Sequence, residues 1–114
     1  MDITVVSEDD LALLKNSLRI DSNSDDSLLT KLVVAARKNI IGRIGNKVAT
    51  FYDDNHEEFN LATVLLASHY YNNRSATSDS EKYAVPLAFD DLILSLKSSY
   101  LLALSEVNGH GQEN

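Results

Sequence analysis

The chain has 114 residues, about the size of one ordinary domain. Hydrophobic residues make up 44% and charged residues 24%, a balance that excludes a disordered chain. Ten Lys and Arg against 17 Asp and Glu give a net charge of -7, which disfavours a nonspecific nucleic-acid binder, and the lack of cysteine removes disulfides, thiol nucleophiles and Cys-based metal sites.

Residues 1–8 lack the basic start and apolar run of a signal peptide. The apolar runs at Val33–Ala36 and Val64–Ala67 fall far short of the ~20 residues that span a bilayer. The expectation is a soluble protein with no membrane partner.

Periodicity and caps predict four helices. The first covers about Glu8–Arg19, with Ser7 as N-cap, Leu11, Leu14 and Leu18 on one face, and three acids at the positive end of its dipole. A polar break at Asp21–Ser24 precedes a long central helix, about Asp25–Arg43, capped by Asn23 or Ser24. Its buried stripe is Leu28, Leu29, Leu32, Val33, Ala36 and Ile40, and Gly45 suits its end. Residues 46–55 read as a loop or short extended segment, because Val48–Tyr52 is strand-like but lacks a partner strand; such a piece could pair with an edge in a neighbouring subunit.

The third helix covers about Glu57–Arg74, dense enough in Leu61, Val64, Leu65, Ala67, Ser68 and Tyr71 for burial on more than one side. Ser75–Ser80 reads as a flexible polar stretch. Pro86 opens a fourth helix over about Leu87–Ser105, with Leu92, Ile93, Leu96, Tyr100 and Leu104 on its apolar face. Two glycines and no large apolar residue mark 108–114 as a flexible tail. The expected architecture is therefore all-α, a small bundle in a single domain over residues 1–107.

Enzyme signatures are weak. Asp21, Asn23 and Asp25 alternate like the opening of an EF-hand loop, but Asp26 stands where that loop needs glycine and Leu32 where it needs a bidentate Glu; a helix-capping cluster is the better reading. His56, His69 and His110 lack the spacing of a zinc-protease motif, and no P-loop, dinucleotide fingerprint or nucleophile elbow occurs. Asp53, Asp54, Glu57 and Glu58 could serve a metal-dependent hydrolase together with His69, yet a solvated loop and helix start explain them more simply. The sequence points to no cofactor.

Charge segregation carries more. Lys31, Arg37, Lys38, Arg43 and Lys47 lie in a stretch with no acid between Ser27 and Tyr52. A protein partner fits this stripe better than a nucleic-acid backbone, which the acidic remainder would repel. Arg37, Lys38 and Asn39 keep open the alternative of a small helical DNA-binding regulator. Phe51, Tyr52, Tyr70, Tyr71, Tyr100 and Leu101 are candidates for partner contact, since aromatics are enriched at interface cores. Phe51 and Tyr52 stand out because their segment lacks a helical apolar stripe.

Three segments stand out together. The first is Leu18-Arg19-Ile20-Asp21, followed by Asp25-Asp26 and the helix Ser27–Arg43. The second is Ala67 to Arg74, with its histidine, two tyrosines and Asn-Arg ending. The third is Val85-Pro86-Leu87-Ala88-Phe89-Asp90-Asp91-Leu92-Ile93, a proline-led start of the last helix. In order and spacing they resemble the head–tail connector (adaptor, DNA-packaging) proteins of long-tailed bacteriophages. Together they cover about residues 8–100, and the chain departs from the pattern where Ser98–Asn114 continues beyond the usual short last helix.

The resemblance implies a non-enzymatic virion protein at the head–tail interface, assembled in the host cytoplasm. Its subunits would form a ring of about twelve under the portal, extend the DNA channel and dock the next head-completion or tail protein. DNA would pass without specific binding. Candidate interface residues on this reading are Lys31, Arg37, Lys38, Arg43, Phe51, Tyr52, Tyr70, Tyr71 and Arg74.

Overall fold

A computed structural model describes residues 1–74 and 86–112. The expected polar stretch at 75–80 lies outside the described residues, as do 113–114 of the expected tail. Five helices follow one another: α1 Glu8–Leu18, α2 Asp26–Ile44, α3 Phe51–Asp54, α4 His56–Asn73 and α5 Leu87–Gln112. No strand occurs among the described residues, so the fold is all-α as expected. The four main helices match the sequence reading, and the surplus element is the single turn α3.

Each helix forms for local reasons. The Ser7 hydroxyl accepts the Asp10 N–H at 3.1 Å, and Glu8, Asp9 and Asp10 face the positive end of the α1 dipole. Arg19 ends α1 in a left-handed conformation (φ 60°), which lets its N–H reach the Asn16 carbonyl and the Ile20 N–H reach that of Lys15. In α2 the buried residues Leu29, Val33, Ala36, Arg37, Ile40 and Ile44 recur at three and four residue steps, one continuous stripe. Pro86 accepts the Phe89 N–H at 3.0 Å as α5 begins.

The linker between α1 and α2 departs from expectation. The N-cap of α2 is Asp25, and its side chain makes no capping bond. The polar cluster stitches helices together instead. Lys15 of α1 bonds Asn23 and Asp26, both at 2.8 Å, and the Tyr71 hydroxyl of α4 donates to Asp25 at 2.7 Å. Leu28 and Leu61, read as core, are 36% and 51% exposed.

α2 and α4 make the most extensive contact, with α1 and α5 each touching both of them. The result is a slab of 56 × 32 × 17 Å. Its radius of gyration is 16.0 Å, against about 13 Å for a compact globule of this length. One core cluster runs through all five helices, from Leu14 through Leu29 and Ile40 to Phe59, Leu66, Phe89 and Leu96.

Residues 46–55 are corrected by the structure. Residues 46–50 form a loop, and Phe51–Asp54 form one helical turn rather than an extended piece, a turn that closes the core. α2 ends at Gly45 with φ 135°, and a Cβ there would sit 2.6 Å from the Tyr100 ring of α5. Tyr100 stacks edge-on against Phe51 at 5.3 Å, and Phe51 edge-on against Tyr52 at 5.1 Å. Three side chains satisfy the backbone at this end of α2. The Tyr52 hydroxyl donates to the Gly45 carbonyl (2.6 Å), the Lys47 N–H donates to the Tyr100 hydroxyl (2.8 Å), and Lys97 Nζ donates to the Ile44 carbonyl (2.8 Å). α5 also runs on through Gln112, so 108–112 continue a helix where a tail was expected.

Gly45→Ala is expected to lose about 2–4 kcal/mol through unfavourable backbone geometry and overpacking against Tyr100. Thermal unfolding would show this as a fall in Tm of about 10 °C or more. Tyr100→Phe keeps the ring and is expected to lose only about 1 kcal/mol, the worth of one hydrogen bond.

Candidate interaction surface

The expected interface residues separate into those the monomer uses internally and those it leaves outside. Arg37 belongs to the first group. It is 4% exposed, its Nη1 donates to the carbonyls of Ile3 (3.1 Å) and Val5 (2.9 Å), and its Nη2 pairs with Asp10 at 2.9 Å. It therefore straps the N-terminal segment to α1 and α2. A guanidinium held in this way cannot reach a base edge, which removes a main support of the DNA-binding alternative.

Phe51 and Tyr52, expected to face a partner, are 3% and 8% exposed. Their aromatic rings fill the gap left where α2 stops, and Tyr52 also lies against Phe59 at 4.7 Å. Serine at either place would hollow the core rather than an interface. Tyr100, another candidate for contact, is buried with them. Burial raises the Tyr52 phenol to about 12, with the nearby Tyr100 adding to the effect.

Arg43 is exposed but engaged: its Nε donates to Asn39 at 2.7 Å and its guanidinium lies 5.8 Å from the Phe89 ring. Tyr70 and Tyr71 are half-buried near the end of α4. The Arg74 guanidinium lies 3.8 Å from the Tyr71 ring centre and donates to the Tyr71 carbonyl at 2.6 Å. The hydrogen bond to Asp25 raises the Tyr71 phenol above its ordinary value, because ionising it would set two negative charges together. The cluster of Asp25, Tyr71 and Arg74 thus joins the start of α2 to the end of α4.

Lys31 and Lys38 remain fully outward on α2. They share that face with Leu28, Ala35 and Gly42, all exposed, and a Cβ at Gly42 would meet nothing within 4 Å. α5 presents the complementary feature. Leu87, Leu94 and Leu101 are 80%, 68% and 51% exposed at intervals of seven residues. Of these only Leu101 stood out in the sequence. The regular spacing was the available signal, but α5 is apolar on several sides, so its inner and outer leucines look alike in one dimension.

Among the described residues, no three His, Asp or Glu side chains gather as metal ligands. A cleft of about 470 Å³ beside His69 is lined, among the described residues, by Ser17, Leu65, Ser68, Asn72, Asn73 and Pro86. His69 itself interacts with the Asn73 side chain at 3.1 Å. Among the described residues, no helix is long and apolar enough to cross a membrane.

A family model described as phage gp6-like head-tail connector protein matches residues 8–97. The chain belongs to this family. The match runs from the first residue of α1 to the lysine of α5 that caps α2, so it takes in most of the packed body of the connector. Family membership makes the chain a structural component of the phage virion that contacts other head or tail proteins. No curated protein and no solved structure gave a significant match.

Arg37→Ala is expected to lose about 2 kcal/mol, since charged hydrogen bonds are removed and Asp10 is left unpaired. Limited proteolysis should then cut within residues 1–7 while helical circular dichroism persists. Tyr52 gives a pH dependence. Its folded-state pKa lies above the unfolded value near 10, so its contribution is intact below pH 10 and falls as the pH rises towards about 12. Tyr52→Phe should flatten the loss of stability across that window, measured by denaturant midpoints.

Proposed function

We propose that this connector subunit assembles with copies of itself into a ring beneath the portal. The ring extends the DNA channel and presents a docking surface for the next head-completion or tail protein. The family match over residues 8–97 carries the reading. About twelve copies is the number that follows from the resemblance, and a ring requires heterologous interfaces that close on themselves. Assembly in the host cytoplasm would precede the subunit's place at the head–tail interface of the virion.

Charge and shape support this role. Each subunit carries -7, so a channel of several copies is strongly acidic overall and does not retain phosphates in transit. The slab shape leaves broad surface relative to the core, which suits a subunit that spends that surface on neighbours.

Light scattering behind size exclusion tests the reading, on the protein alone and mixed with the portal encoded beside it. A ring-sized species is expected in at least one of the two samples, and its appearance only with the portal would mark assembly as templated. A monomer or dimer unchanged by the portal would overturn the ring.

A further inference from the structure

We propose that α5 of one subunit docks on the outer face of α2 of the next copy of this chain. The proposal rests on the ring reading above and names the two surfaces that would build it.

The surfaces match in pitch. Leu87, Leu94 and Leu101 repeat every seven residues along α5, and Leu28, Ala35 and Gly42 repeat every seven along α2. Each row spans about 21 Å at 1.5 Å per residue. Helices whose contact residues recur every seven positions can lie nearly parallel along such a length.

They also match in relief. The α5 row consists of three leucines that are each at least half exposed. The α2 row ends in alanine and glycine, so it is flat where a protruding side chain would land. Beside it a cleft of about 320 Å³, lined by Ile3, Lys38, Ile41, Gly42, Gly45 and Asn46, has room for a leucine side chain.

The charges are opposite. The exposed charged residues of α5 are Asp90, Asp91 and Glu106, all acidic, because its lysine at position 97 bends inward to the Ile44 carbonyl. The α2 face carries Lys31 and Lys38, whose stems can lie along apolar surface while their ammonium groups meet carboxylates. Two α5 faces meeting each other would set acid against acid, and two α2 faces lysine against lysine. The favoured contact therefore joins unlike surfaces, which is the condition for a ring rather than a closed dimer.

The lack of native cysteine makes a direct test possible. Ala35 and Leu94 are the central members of their rows, so they face each other whether the helices run parallel or antiparallel. The double variant Ala35→Cys with Leu94→Cys, oxidised in the full chain with the portal present, is expected to give a ladder of covalent dimers, trimers and higher species. Each single variant should stay monomeric on the same non-reducing gel.

Covalent dimers from Leu94→Cys alone would overturn the proposal in favour of a self-complementary α5 contact. A double variant that forms rings by light scattering but gives no ladder would overturn the α5–α2 contact and leave the ring standing. Wild-type protein that forms no ring, alone or with portal, would overturn both readings. Leu94→Glu supplies an independent check: helical circular dichroism should be unchanged and the ring-sized species lost.

Discussion

The close approach of Gly45 to the Tyr100 ring is the contact on which the rest of the fold depends. α2 must stop where α5 crosses it, and only a residue without a side chain allows the ring that near. Once Tyr100 is seated, its hydroxyl takes the Lys47 N–H and its edge meets Phe51. Phe51 and Tyr52 then close the end of the core, and Tyr52 returns a hydrogen bond to the Gly45 carbonyl. One backbone position thereby ties α2 and α3 to α5, which lies far from both in sequence.

The positive charges divide along the same lines. Arg37, Lys15 and Lys97 are spent within the monomer: on the N-terminal strap, on the linker before α2 and on the last carbonyls of α2. Lysine at the C-terminal end of α2 also complements that helix's dipole. Lys31 and Lys38 stay exposed on one face of α2, in a chain that is acidic on balance. An acidic chain that exposes a few cations on one helix face has a directional surface.

The helices were legible because each carries its own start and stop. Ser7 with its acids, Gly45 and Pro86 act over a few residues, and the α2 stripe follows from period alone. Three features were not legible because they depend on what lies across the fold. Phe51 and Tyr52 look like interface residues until Tyr100 is known to sit above them. Arg37 looks like one member of a basic stripe until the carbonyls of Ile3 and Val5 are found within reach of it. Asn23, Asp25 and Asp26 look like caps, and the partners that redirect them, Lys15 and Tyr71, belong to other helices. The family, by contrast, was legible from the order of three segments, and the matched range agrees with it.

The last part of α5 has a mechanical property. Among the described side chains of α5, Leu104 is the last that packs against the core, and 105–107 are exposed. The helix nevertheless continues to Gln112. Taken from Tyr100, that end of the helix runs for about 18 Å. A tilt of about 10° at Tyr100 would carry its tip by about 3 Å, roughly the length of one hydrogen bond. A small adjustment in how Tyr100 sits on Gly45 is thus magnified along the end of the helix.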